Sequence, residues 1–96
     1  MSWADCFLTY VQDERKKQDK KWGEQEHGGH AWVSILTEEV GEVAKAINED
    51  DMVEALKELE QVAAVASAMW EQIMDENRID LHPQFGNFKQ GDLNSG

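Results

Sequence analysis

Apolar residues recur along this chain with the period of helices, and three segments carry the pattern. From Ala31 to Asn48, Trp32, Ile35, Leu36, Val40, Val43, Ala46 and Ile47 fall on one face at about 100° per residue. From Met52 to about Asn77 there is neither proline nor glycine, and one long helix is predicted. Its apolar arc carries Met52, Leu56, Leu59, Ala63, Ala66, Trp70, Ile73 and Met74, with Val62, Met69 and Val65 along one margin. An earlier helix is predicted up to about Lys20, capped by Ser2 or Asp5, with Phe7, Leu8 and Val11 on its apolar face. Glycines 23, 28 and 29 mark a loop over residues 23–30. The short link Glu49-Asp50-Asp51, with Asp51 as N-cap, favours an antiparallel hairpin of the second and third helices. The fold expected is an all-α antiparallel helical bundle in one domain spanning 1–96, with a core at about 5–77 and a partly irregular tail at 78–96.

Several acids break this pattern by pointing the wrong way. Glu39 projects into the apolar face of the second helix between Ile35 and Trp32, and Glu38 and Glu42 lie along its edge. Glu38 and Glu42 are one turn apart, where like charges repel. On the third helix Glu58 falls within the apolar margin between Val62 and Val65, and Glu54 and Gln61 lie just outside it. A buried, unpaired carboxylate is costly and takes up a proton. Several facing one another across a hairpin call for a cation, and an oxygen-only donor set suits Mg²⁺ or Mn²⁺. Lys45, one turn beyond Glu38 and Glu42, can pair with one acid but not with four. Glu60, Glu71, Asp75 and Glu76 have the phase of an ordinary solvated face.

The second half of the first helix, from Asp13 to Lys21, is almost wholly polar and holds five of the nine basic residues. Lysines late in a helix favour its dipole. A tryptophan beside a lysine, as at Lys21-Trp22, can stack on a base while the lysine meets phosphate. His27 and His30 lack the partners that would complete a tetrahedral zinc site and are expected to be solvated. Cys6 is the only cysteine and is expected to be a buried structural thiol in a reduced, cytoplasmic setting. Gly41, in mid-helix, suggests close helix approach near the acids.

These residues carry a family resemblance. Glu38-Glu39-Val40-Gly41-Glu42 fits the E-E-x-x-E signature of the MazG-like all-α nucleoside triphosphate pyrophosphohydrolases, and Glu58-Leu59-Glu60-Gln61 falls where that family has E-x-x-D. The run from Asp13 to Gly23 resembles the E-R-x-x-Q-x-x-K-W-G element of one branch, and Gln61 to Ala66 is similar to that branch too. The resemblance covers roughly residues 10 to 75. It implies Mg²⁺-dependent cleavage of a nucleoside or deoxynucleoside triphosphate between the α and β phosphates, releasing a monophosphate and pyrophosphate. It implies metal ligands at Glu38, Glu39, Glu42, Glu58 and Gln61, with Glu39 or Glu42 handling the attacking water, and substrate contacts at Gln18, Lys21 and Trp22. Gln61 departs from the pattern: an amide oxygen can coordinate but brings no charge.

Composition narrows the partners. A net charge of −11 argues against nucleic-acid polymers and anionic membranes. No apolar run is long enough to span a membrane, and no signal peptide is visible. The third helix, about 38 Å long, overhangs a domain whose radius of gyration is about 13 Å. Its wide apolar arc therefore predicts a homodimer or homotetramer built through long helices. The competing expectation is a catalytically inactive acidic bundle that serves as a binding or assembly module, its acids neutralised by a partner's arginine.

Overall fold

Ser2 starts the first helix with a reciprocal cap. Its Oγ accepts from the Asp5 backbone N–H at 3.1 Å, and the Asp5 carboxylate accepts from the Ser2 N–H at 3.3 Å. Two otherwise orphaned donors are thereby satisfied. In the computed structural model, which describes residues 2–23 and 26–77, this helix is α1 (Trp3–Trp22), followed by α2 (Gly29–Asn48) and α3 (Met52–Asn77). The described residues are all-helical with no strand. The expectations for the tail from Ile79 lie outside the described residues.

Gly23 ends α1 at φ 76°, a left-handed conformation that suits glycine, with its N–H donating to the Asp19 carbonyl at 2.8 Å. Helix α2 begins at Gly29, two residues before the apolar pattern predicts. Between α2 and α3, Asp50 takes φ 61°, and the Asp51 carboxylate accepts from the Glu54 N–H at 3.1 Å, the cap expected of it.

Helix α3 is the central element. It packs against both α1 and α2, while α1 and α2 do not approach one another. The buried apolar residues are Val11, Trp32, Ala46, Ala55, Ala64 and Val65. Half of these are alanines, whose small side chains let the helix axes come close. The core therefore sits at the margin of the predicted α3 arc rather than at its centre. Val65 is buried, whereas Leu56 is 62% and Trp70 48% exposed, and Met52, Leu59 and Ile73 are exposed with them. The reason is geometric: α1 and α2 flank α3 on its other sides, and neither covers the Met52–Leu56–Leu59–Trp70 ridge. Leu8 of α1 and Val40 and Ile47 of α2 are also exposed, against expectation. Cys6 is half-buried rather than buried. No described helix is long and apolar enough to cross a membrane.

Gly41 corrects another expectation. A Cβ there would meet nothing within 4 Å, so none of the described helices needs the glycine for close approach. Gly41→Ala is therefore expected to stabilise the isolated chain by about 1 kcal/mol through helix propensity. Urea unfolding checks this; a destabilised variant would show that something outside the chain's own three helices packs on Gly41.

Candidate functional site

The inward phase of Glu39 on α2 and Glu58 on α3 brings their side chains together. Both are half-buried, and each lies close enough to act on the other's carboxyl. Glu54, one turn before Glu58, acts on it as well. Burial pushes the Glu39 carboxyl above its ordinary range; the Glu58 side chain opposes the shift, and the charges of Glu38, Glu42 and Glu14 add to it. Glu58 is pushed up to about 7, first by burial, then by the neighbouring Glu54 side chain and by the charges of Glu39, Glu54 and Glu42. Glu42 thus acts on both helices' inward acids. Glu38 and Glu42 themselves are exposed.

The acids are not neutralised by the neighbour best placed to do so. Among the described residues Lys45 makes no ion pair; the ion pairs there are Arg15–Glu71 at 2.9 Å and Lys17–Glu14 at 3.8 Å, and neither includes Glu38, Glu39, Glu42 or Glu58. The donor set is all oxygen and fits a hard divalent cation. Yet no three such side chains among the described residues stand close enough together to enclose a metal.

Beside the acids runs a polar seam that positions α1. Arg15 donates to Ser67 Oγ at 2.6 Å and to the Glu71 carboxylate at 2.9 Å. Its side chain is 18% exposed, so these charge-assisted bonds are sheltered from water. One turn on, the Gln18 amide donates to the Gln61 carbonyl oxygen at 2.9 Å. The polar half of α1, which lacks apolar area for docking, is held to α3 by these bonds. The Gln61 oxygen expected to face a metal is engaged by Gln18.

Because α1 and α2 flank α3 without touching, a cleft of about 290 Å³ opens between them. Glu39 and Gln61 line it near the acids, and Trp32, Val65 and Gln72 line it further along. Gln72 closes the far side: its carbonyl oxygen accepts from Trp32 Nε1 at 2.8 Å and from the His27 N–H at 3.0 Å, and its amide donates to the His27 carbonyl at 2.6 Å. The His27 ring meets Trp32 edge-on at 4.8 Å. His27 is thus a structural contact on Trp32 rather than a solvated loop residue.

Of the expected site residues, Glu39 and Glu58 meet, Glu38 and Glu42 lie within electrostatic reach, and Gln18 and Gln61 meet at the cleft. Lys21 is exposed and does not line it. The Trp22 side chain lies outside the described part. Sequence reasoning passed over Arg15, Ser67, Glu71 and Gln72 as site-forming residues. The spacing Gln61, Ala64, Ser67, Glu71 is helical, but its partner line on α1 is visible only once the helices dock. No family model, curated protein or solved structure matches the chain.

Proposed function

We propose that the protein is a divalent-cation-dependent nucleoside triphosphate pyrophosphohydrolase that releases a nucleoside monophosphate and pyrophosphate. The observation that carries this reading is the meeting of Glu39 and Glu58 across α2 and α3, in a group of carboxylates at one end of a ligand-sized cleft. Glu38, Glu39, Glu42 and Glu58 would hold Mg²⁺ or Mn²⁺, while the Gln61 oxygen is engaged by Gln18. Such a cation supplies charge neutralisation of the triphosphate and a lowered pKa for its water. Glu39, half-buried and raised, is the member best suited to orient the attacking water and accept its proton, with Glu42 beside it. Lys21 would reach the outer phosphates from the end of α1, and Trp22 remains a candidate for stacking on the base.

The exposed α3 ridge suits pairing of antiparallel hairpins between two or four copies of the chain. Fully burying one leucine-sized side chain contributes about 1.5–3 kcal/mol, and the ridge holds several.

The same ridge favours a second reading, an inactive assembly module whose acids meet a partner's arginine. Thermal stability separates the two. At Mg²⁺ a hundredfold above its Kd, a binding site contributes about 2.7 kcal/mol, which raises Tm by roughly 10–20 °C in a domain of this size. A Tm unmoved by Mg²⁺ and Mn²⁺ favours the assembly module.

A further inference from the structure

The cleft has a chemistry distinct from that of a phosphate site. Among the described residues six carboxylates line it, those of Asp19, Glu26, Glu39, Glu71, Asp75 and Glu76. Arg15 is the only basic residue among the described lining, and it is engaged with Ser67 and Glu71. An uncoordinated phosphate is repelled from such a surface. The flanks at Trp32, Ile35, Val65 and Ala68 are apolar. The cleft therefore suits a part of a ligand that is uncharged, bears apolar faces and is rich in hydrogen-bond donors at its edge.

The Gln18–Gln61 pair supplies the polar reading head. A glutamine amide carries two N–H donors and one carbonyl acceptor. Gln18 Nε2 is committed to Gln61 Oε1 at 2.9 Å and, at 3.4 Å, to Glu14. Gln18 Oε1 and Gln61 Nε2 have no hydrogen-bond partner among the described residues. The pair thus offers the cleft one acceptor and one donor group. Turning both amides end for end leaves the same complement. A base edge that presents a donor beside an acceptor can meet both groups of the pair at once.

Resting on the nucleotide reading above, we infer that this cleft is a nucleobase subsite selecting bases with an exocyclic amino group, and that Gln61 with Gln18 reads the base instead of ligating metal. Adenine, cytosine and guanine each bring an N–H₂ group to an acceptor-rich wall. Uracil and thymine bring one N–H and two carbonyls, which the carboxylates repel. Glutamine in place of the acid at this position then has a purpose: it keeps an N–H donor in a cleft otherwise full of acceptors. The site lies beside Glu39, so a base seated there leaves its triphosphate at the carboxylate group.

The test uses the metal-free protein and nucleosides, so it does not depend on hydrolysis. Adenosine, cytidine, guanosine, uridine and thymidine are titrated against ¹⁵N-labelled protein, following the side-chain amides of Gln18 and Gln61 and the indole N–H of Trp32. Amino-bearing nucleosides are expected to shift these signals, with uridine and thymidine binding at least about 10-fold more weakly. Gln61→Leu removes the polar pair and is expected to weaken binding of the amino-bearing nucleosides by about 10-fold. If that variant loses its spectral dispersion, Gln18→Met takes its place. Equal binding of uridine, shifts mapping away from the cleft, or no response to any nucleoside overturns the inference. Nucleoside binding without triphosphate turnover leaves this inference standing and removes the hydrolase reading. Turnover without a nucleoside response does the reverse.

Discussion

Glu39→Gln is expected to abolish Mg²⁺-dependent triphosphate hydrolysis while the helices stay folded. The glutamine side chain has nearly the same shape and stays half-buried between α2 and α3, but it brings no charge to a cation and cannot accept a proton from water. Loss of general-base action alone costs about 10²–10⁴-fold in rate, and weakened metal binding adds to it. The exchange also removes one negative charge from the Glu38–Glu42–Glu58 group, so the metal-free variant should be at least as stable as the parent. That pairing of lost turnover with retained or increased stability distinguishes a functional acid from a structural one. Glu60→Gln, outside the acid group, serves as the control. Turnover of Glu39→Gln at the parent's rate would remove Glu39 from the chemistry.

The second large effect is a pH dependence of stability whose direction reverses with metal. Glu58 is held at about 7 in the folded chain, against an ordinary carboxylate value of 4.5. The folded state therefore binds the proton more tightly than the unfolded state does. The stability linked to this group is fully present below about pH 4.5 and is lost as pH rises through 7. Glu39, also raised, contributes in the same direction. Without divalent cations, urea midpoints should fall between pH 5 and pH 8. With saturating Mg²⁺ the trend reverses, because the cation competes with the proton for the same oxygens and binds better as they ionise. A metal-free protein that grows steadily more stable from pH 5 to pH 8 would contradict the electrostatic account of the acid group.

How far the sequence foretold this arrangement depends on which force made each feature. The three helices were legible because apolar periodicity and caps are local: Ser2 and Asp51 cap α1 and α3 as read. The inward phase of Glu39 and Glu58 was legible for the same reason, since a helix fixes direction once its apolar face is known. The centre of the core was not. Periodicity finds the Leu56–Leu59–Trp70 face but not what covers it, and the chain buries Ala55, Ala64 and Val65 instead. The α1–α3 seam was illegible too. Arg15–Ser67 and Gln18–Gln61 are separated by 52 and 43 residues, and a polar residue that will find a distant partner looks like one that will stay in water. Glu71 had the phase of a solvated acid and is one, at 58% exposure, yet it also holds Arg15. Gln72 gave no signal, although it ties the 26–28 segment and Trp32 to α3.

The most direct measurement is to incubate the purified protein with Mg²⁺ and a panel of ribo- and deoxyribonucleoside triphosphates and to identify the products by phosphorus NMR. The account predicts a nucleoside monophosphate and pyrophosphate in equal amounts, formed by the parent protein and not by Glu39→Gln. Release of inorganic phosphate from the γ position, or no turnover of any triphosphate with either Mg²⁺ or Mn²⁺, would contradict it.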